Sequence, residues 1–157
     1  MTEYLIVKAR PEHADQIMPT LRPADVVEIR RATGRNVAAV LKDSIVMSYD
    51  AIAAYADGEL VLLAGVAPVS VLSSVGCPWL VGAVGLEKHA LKMCRENKKY
   101  VQKWLSVFGK LENYVDNDNV VSQRWLQWLG FTLEEPAPYG AEGHLFRRFF
   151  QEGESCV

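Results

Sequence analysis

Lys88, Lys92, Arg95, Lys99 and Lys103 recur every three or four residues, the spacing that aligns side chains along one face of a helix. Such a stripe could meet phosphate groups or an acidic or phosphorylated partner. The same spacing also suits the wet side of an amphipathic helix. Trp104, Trp125 and Trp128 could stack on bases, but tryptophans at helical spacing more often pack in a core or an interface. The chain of 157 residues carries 17 basic against 19 acidic side chains, a net charge of −2, so nothing electrostatic argues for nucleic acid or an anionic membrane. Cys77, Cys94 and Cys156 are odd in number and far apart, and form no C-x-x-C pair. His13, His89 and His144 are equally scattered. Neither a metal site nor a disulfide framework is expected from them.

The elements that must position these residues read as one mixed α/β domain spanning 1–157. Hydrophobic residues make up 50% of the chain and charged ones 23%, as in a globular protein. A strand is predicted over 4–7, and a helix opened by Pro11 and ended by Pro19. A second helix over 24–33 stops at Gly34, and Asn36 caps a third containing Val37, Val40, Leu41 and Ile45. Residues 51–56 and 60–67, joined at Asp57-Gly58, predict a hairpin. A loop over 73–78 and a strand over 79–84 follow. Residues 60–86 contain no charge, but Pro68, Pro78 and several serines and glycines break the run. Two buried strands joined by a loop explain it better than a membrane span. A helix over 88–108 has Ala90, Cys94, Val101, Trp104 and Phe108 on its apolar face, opposite the basic stripe. A strand over 111–115, a turn over 116–119, a helix over 120–129 ended by Gly130, and strands over 131–134 and 144–150 complete the order. The loop between those last strands carries Pro136, Pro138 and Gly140. Residues 1–10 hold Glu3, Lys8 and Arg10 around a short apolar run and do not read as a signal peptide.

The segment from Glu112 through Asn119 and Ser122 to Leu129-Gly130-Phe131 resembles the C-terminal half of a GNAT acyltransferase domain. There a strand ends in an Asn-containing turn, a short helix follows, and a Leu-Gly-Phe step enters the next strand. The resemblance implies a GNAT-like mixed sheet flanked by helices. In the family, acetyl-CoA lies where two parallel strands splay, its pyrophosphate on a glycine-rich loop opening the central helix. Family spacing places that loop near 87–92, where no glycine occurs and Glu87 takes the leading basic or amide position. Gly82 and Gly85 lie upstream, and Lys88, His89 and Lys92 are the candidate cofactor-binding residues there. The tyrosine that many members use to protonate the departing thiolate corresponds to Leu126. Tyr114 and Tyr139 are the only candidate substitute proton donors, and packing with a polar tip is the simpler reading of both. Glu59, beside the hairpin turn, reads as a solvated charge and not as a base.

Trp79-Leu80-Val81, a long basic-aromatic helix without the glycine loop, and the Tyr114-Val115…Asn119…Ser122…Leu129-Gly130 series are also similar to the internal virion protein A family of short-tailed phages. That likeness implies a GNAT scaffold without acetyl-CoA or catalysis, working through contacts with other virion proteins. Trp125 and Trp128, three apart on the last helix, are the candidate contact residues, and burial of both rings against the sheet is the other reading. The expected location is the host cytoplasm during assembly, or the virion. The alternative is an active acetyl-CoA-dependent N-acyltransferase with a divergent phosphate loop.

Overall fold

The computed structural model describes residues 1–154. Its elements are β1 (Tyr4–Lys8), α1 (Pro11–Ile17), α2 (Pro23–Thr33), α3 (Val37–Met47), β2 (Asp50–Ala56), β3 (Glu59–Pro68), β4 (Val75–Gly82), α4 (Ala90–Phe108), β5 (Lys110–Asp116), α5 (Val120–Trp128), β6 (Thr132–Leu133), β7 (Ala137–Tyr139) and β8 (His144–Glu152). The strands form one sheet in the order β1-β2-β3-β4-β5-β8-β6, with β7 also paired to β8. Every pairing is antiparallel except β4 with β5. Alternation along the strands builds a core on each face. On one side Ile52, Ala54, Leu62, Ala64 and Val66 pack with Met93, Val101 and Trp104 of α4 and with α5. On the other Ala51, Ala53, Leu63 and Val81 pack with Ile17 of α1 and Leu41 of α3. This is an α/β/α three-layer domain.

Local chemistry sets most boundaries. Asn36 Oδ1 accepts the Ala39 N–H at 3.1 Å and caps α3, while Gly34 ends α2 at φ 66°. Asp57 and Gly58 take φ 48° and 80°, the two positive angles of a type I′ hairpin turn. Gly130, at φ 98°, turns the chain out of α5, and a Cβ there would meet the Gln151 side chain at 3.1 Å. Gly130→Val should therefore cost about 2–3 kcal/mol in chemical denaturation, from both the strained φ and the displaced glutamine. A cost within 0.5 kcal/mol of zero would disprove that reading of the turn.

Three sequence expectations need correction. The strand predicted over 79–84 begins at Val75 and includes Pro78. A proline is tolerated there because its missing N–H faces the side where β4 leaves β5. The long helix starts at Ala90, and Val84–His89 coil as a 3₁₀ helix. The loop with Pro136 and Pro138 contains the short strand β7, paired with β8 at Ala137–Phe146 and Tyr139–His144. No helix of the described residues is long and apolar enough to cross a membrane. Cys156 lies outside the described residues.

Candidate functional site

β4 and β5 pair only at Val75–Lys110 and Gly76–Leu111 and then separate. A side chain spans the gap they leave: Asn113 Nδ2 donates to the Pro78 carbonyl at 2.7 Å. Beyond this bridge opens a cleft of about 370 Å³. It reaches both faces of the sheet, with Glu28, Tyr114 and Tyr139 on the α2 side and Glu87, Asn97 and Trp125 on the α4–α5 side. Clefts at the carboxyl ends of splayed strands are where open α/β sheets commonly bind ligands.

On the α2 side a polar network joins that helix to the ends of β4 and β5. Asp25 Oδ2 accepts the Gly82 N–H at 2.9 Å, and Arg22 pairs with Asp25 at 3.3 Å. Glu28 Oε1 accepts the Asp116 N–H at 2.8 Å and Asn119 Nδ2 at 3.3 Å. Asn119 also caps α5, accepting the Ser122 N–H at 3.4 Å. Arg31 pairs with Asp116 at 3.1 Å and Asp118 at 2.7 Å. Glu28 faces the cleft but is otherwise enclosed. Burial, with Asp25 and Asp116 adding to it, pushes its carboxyl up to about 7, although the hydrogen bonds from Asp116 and Asn119 oppose this. Burial raises the Asp25 carboxyl as well, against the pull of Arg22.

Tyr114 and Tyr139 come together, stacked with ring centroids 3.9 Å apart, and burial raises the Tyr139 hydroxyl. Leu126 lines the cleft from α5. The connector entering α4 coils on itself, with the Leu86 N–H on the Ala83 carbonyl at 2.9 Å. Gly85 lies within it, and Gly82 ends β4 with Leu86 packed closely over it. Glu87 and Ala90 line the cleft. His89 Nδ1 meets the Tyr4 hydroxyl at 2.9 Å, and Lys92 pairs with Glu96 at 3.0 Å while lying over the Tyr4 ring. Lys88 is exposed, as is Glu59 at its turn. The basic stripe faces solvent, where Lys99 pairs with Glu96 and Lys103 with Asp50.

The two tryptophans of α5 diverge. Trp125 packs inward and lines the cleft, whereas Trp128 is 47% exposed beneath the Lys98 ammonium, 5.0 Å from its ring centroid. Trp104 is buried, with Nε1 donating to Asp50 at 2.8 Å. Cys77 and Cys94 are half-buried, and burial, assisted by Glu112, pushes the Cys77 thiol up to about 11. No group of three His, Cys, Asp or Glu suited to a metal ion occurs among the described residues.

Glu28, Asp25, Asp116 and Asn97 were not singled out by the sequence. Asn97 alone left a signal: it stands four residues before Val101, on the apolar stripe of α4.

No protein-family model matches the sequence, and neither does any characterised relative. Solved structures do match. The chain superposes on a GNAT-family acetyltransferase from Streptococcus pneumoniae with a TM-score of 0.61 and 17% identity, covering 96% of this chain and all of that one. The GNAT acetyltransferase fold is therefore the fold of this chain. YncA, a putative acetyltransferase from Salmonella typhimurium with its cofactor acetyl-CoA, gives a TM-score of 0.65 at 14% identity, over 98% of this chain and 96% of that one. RimL, a ribosomal L7/L12 α-N-protein acetyltransferase in complex with coenzyme A, gives 0.69 at 8% identity, over 95% and 93%.

Proposed function

We propose that this chain is a GNAT-fold protein of the phage internal virion protein A type. It works in virion assembly through protein–protein contact and not through acetyl-CoA-dependent acyl transfer. The observation that carries this reading is the entrance to α4. A pyrophosphate needs free N–H groups and a positive field. The connector there is a self-bonded 3₁₀ coil that places Glu87, a carboxylate, on the cleft. His89 and Lys92 are engaged by Tyr4 and Glu96. These residues do not fit the nucleotide end of acetyl-CoA, and Leu126 has no proton to give.

The contact is assigned to Trp128, whose exposed ring suits a binding hot spot. Its partner is another virion protein. Trp128→Ala should leave the unfolding midpoint within about 2 °C of wild type, as expected for a change costing under about 0.5 kcal/mol. It should abolish co-sedimentation with assembling particles. Millimolar acetyl-CoA should leave the midpoint of the wild-type chain unchanged. A rise of several degrees, removed by replacing Lys88 and Lys92, would overturn the reading.

One observation favours a second reading, an active N-acyltransferase with a divergent phosphate loop. A carboxyl group that titrates near neutral pH beside the cleft is suited to take a proton from an acceptor amine, and Glu28 is such a group. Thiol release from acetyl-CoA with a panel of amines, lost in Glu28→Gln, would establish it.

A further inference from the structure

β1 is an edge of the sheet, five residues long, whereas the opposite edge is broken into β6 and β7, of two and three residues. The Asp57 N–H meets the Glu3 carbonyl at 2.8 Å and the Ala9 N–H meets the Ala51 carbonyl at 2.9 Å, which fixes the groups of β1 that face β2. By alternation Leu5 and Val7 bond to Tyr55 and Ala53, and Tyr4, Ile6 and Lys8 turn their N–H and C=O groups outward. The side chains of those three residues lie on the α4 face, where Tyr4 and Ile6 join the core under that helix. Leu5 and Val7 point to the α1 face, and Leu5 is 57% exposed.

α4 runs alongside this edge and turns its basic stripe toward it. Its start is tied to Tyr4, through His89 at 2.9 Å and the Lys92 ammonium 5.9 Å from the ring centroid. Farther along, Tyr100 and Lys103 share with Ile6 and Lys8 the lining of a groove of about 400 Å³. Lys8, Lys92, Lys99 and Lys103 thus border the edge against two acids, Glu96 and Asp50, which are engaged by the lysines of α4. Lys8 is exposed and forms no ion pair among the described residues. Lysines along an outer strand guard it against indiscriminate pairing. They also oppose a second copy of this chain, because pairing β1 with itself about a two-fold axis would set two such stripes side by side. A strand bearing carboxylates meets attraction instead.

We propose that β1 takes up an extended acidic peptide as an added antiparallel strand. Its carboxylates lie on the α4 side against Lys8, Lys99 and Lys103, and its apolar side chains cover Leu5. In antiparallel pairing, directly opposite residues carry their side chains on the same face. The residues opposite Tyr4, Ile6 and Lys8 are therefore the acidic ones, and theirs are the N–H groups that bond to β1. The site is separate from the cleft and from Trp128, which lies with Lys98 on the α5 side of α4, so its failure would leave the role proposed for Trp128 untouched.

The probe is the peptide acetyl-EVEVEVE-amide, and the readout is amide hydrogen exchange in the full ¹⁵N-labelled chain. Saturating peptide should slow exchange at Tyr4, Ile6 and Lys8 at least tenfold and leave Leu5 and Val7, already bonded to β2, unchanged. N-methylation of the peptide's glutamates should abolish this protection, and N-methylation of its valines should preserve it. Acetyl-KVKVKVK-amide should give none. Lys8→Glu combined with Lys99→Glu, both at exposed positions, should weaken the acidic peptide at least tenfold. Should that variant not fold, the peptide series on the unaltered chain decides the question. No protection up to millimolar peptide would overturn the proposal, as would undiminished affinity in the folded variant. Equal protection by the basic or the glutamate-methylated peptide would overturn it too, since charge or strand pairing would then be dispensable. Protection of the same three amides that grows with protein concentration in the absence of peptide would assign the edge to a second copy, and would also overturn it.

Discussion

Glu28→Gln should stabilise the protein by about 2–3 kcal/mol at pH 8 and leave it nearly unchanged at pH 4. The carboxyl titrates at 4.5 in the unfolded chain and near 7 in the folded one, where burial disfavours its charge. Below 4.5 it is protonated in both states and costs nothing. Between 4.5 and 7 the folded chain holds the proton more tightly than the unfolded one, so stability falls as pH rises. Above 7 the full cost of a buried charge is present. Glutamine resembles the protonated acid and keeps an oxygen for the Asp116 N–H and Asn119 Nδ2. Urea denaturation of both proteins across this range should show a slope in the wild type that the variant lacks. Parallel curves would mean that Glu28 is solvated in the folded state.

Asp25→Ala should cost about 3–4 kcal/mol, while Asp25→Asn should cost only about 1. Asp25 is 2% exposed and ties the first turn of α2 to the end of β4 through the Gly82 N–H. Alanine leaves that N–H and the Arg22 guanidinium unpaired. Asparagine keeps an acceptor for Gly82 but leaves the Arg22 guanidinium without its counter-charge, and the relief of burying one carboxylate fewer, which the raised Asp25 carboxyl indicates, offsets most of that loss. Equal losses for the two variants in denaturant melts would show that the ion pair, and not the acceptor, holds α2 in place.

These two acids mark the limit of what the sequence disclosed. Wherever a residue acts on its own neighbours the sequence suffices: the Asn36 cap, the Asp57-Gly58 turn and the Gly34 and Gly130 exits are all decided within a few residues. The amphipathic stripe of α4 was legible for the same reason. Asp25 and Glu28 resemble solvated acids on a short helix, and only the fold brings them to Gly82 and to Asp116, 88 residues away from Glu28. Pro78 reads as loop from the sequence because a strand interior normally requires every N–H, and the splay that excuses it is a tertiary event. β7 was hidden by Pro138, which an outer strand tolerates. The two stacked tyrosines lie on separate strands, so no spacing could announce their contact.

The parting of β4 from β5 leaves a stretch of main chain that any extended peptide could in principle extend, the hazard that exposed strands carry for aggregation. Here the invitation is largely withdrawn. Pro78 has no proton to donate and its oxygen is taken by Asn113. Gly82 gives its N–H to Asp25 and its carbonyl to Arg22. By alternation, only Leu80 between them still has both main-chain groups turned toward the opening. A single rung cannot register an incoming strand. The domain can therefore keep a sheet open at its centre without recruiting other chains through it.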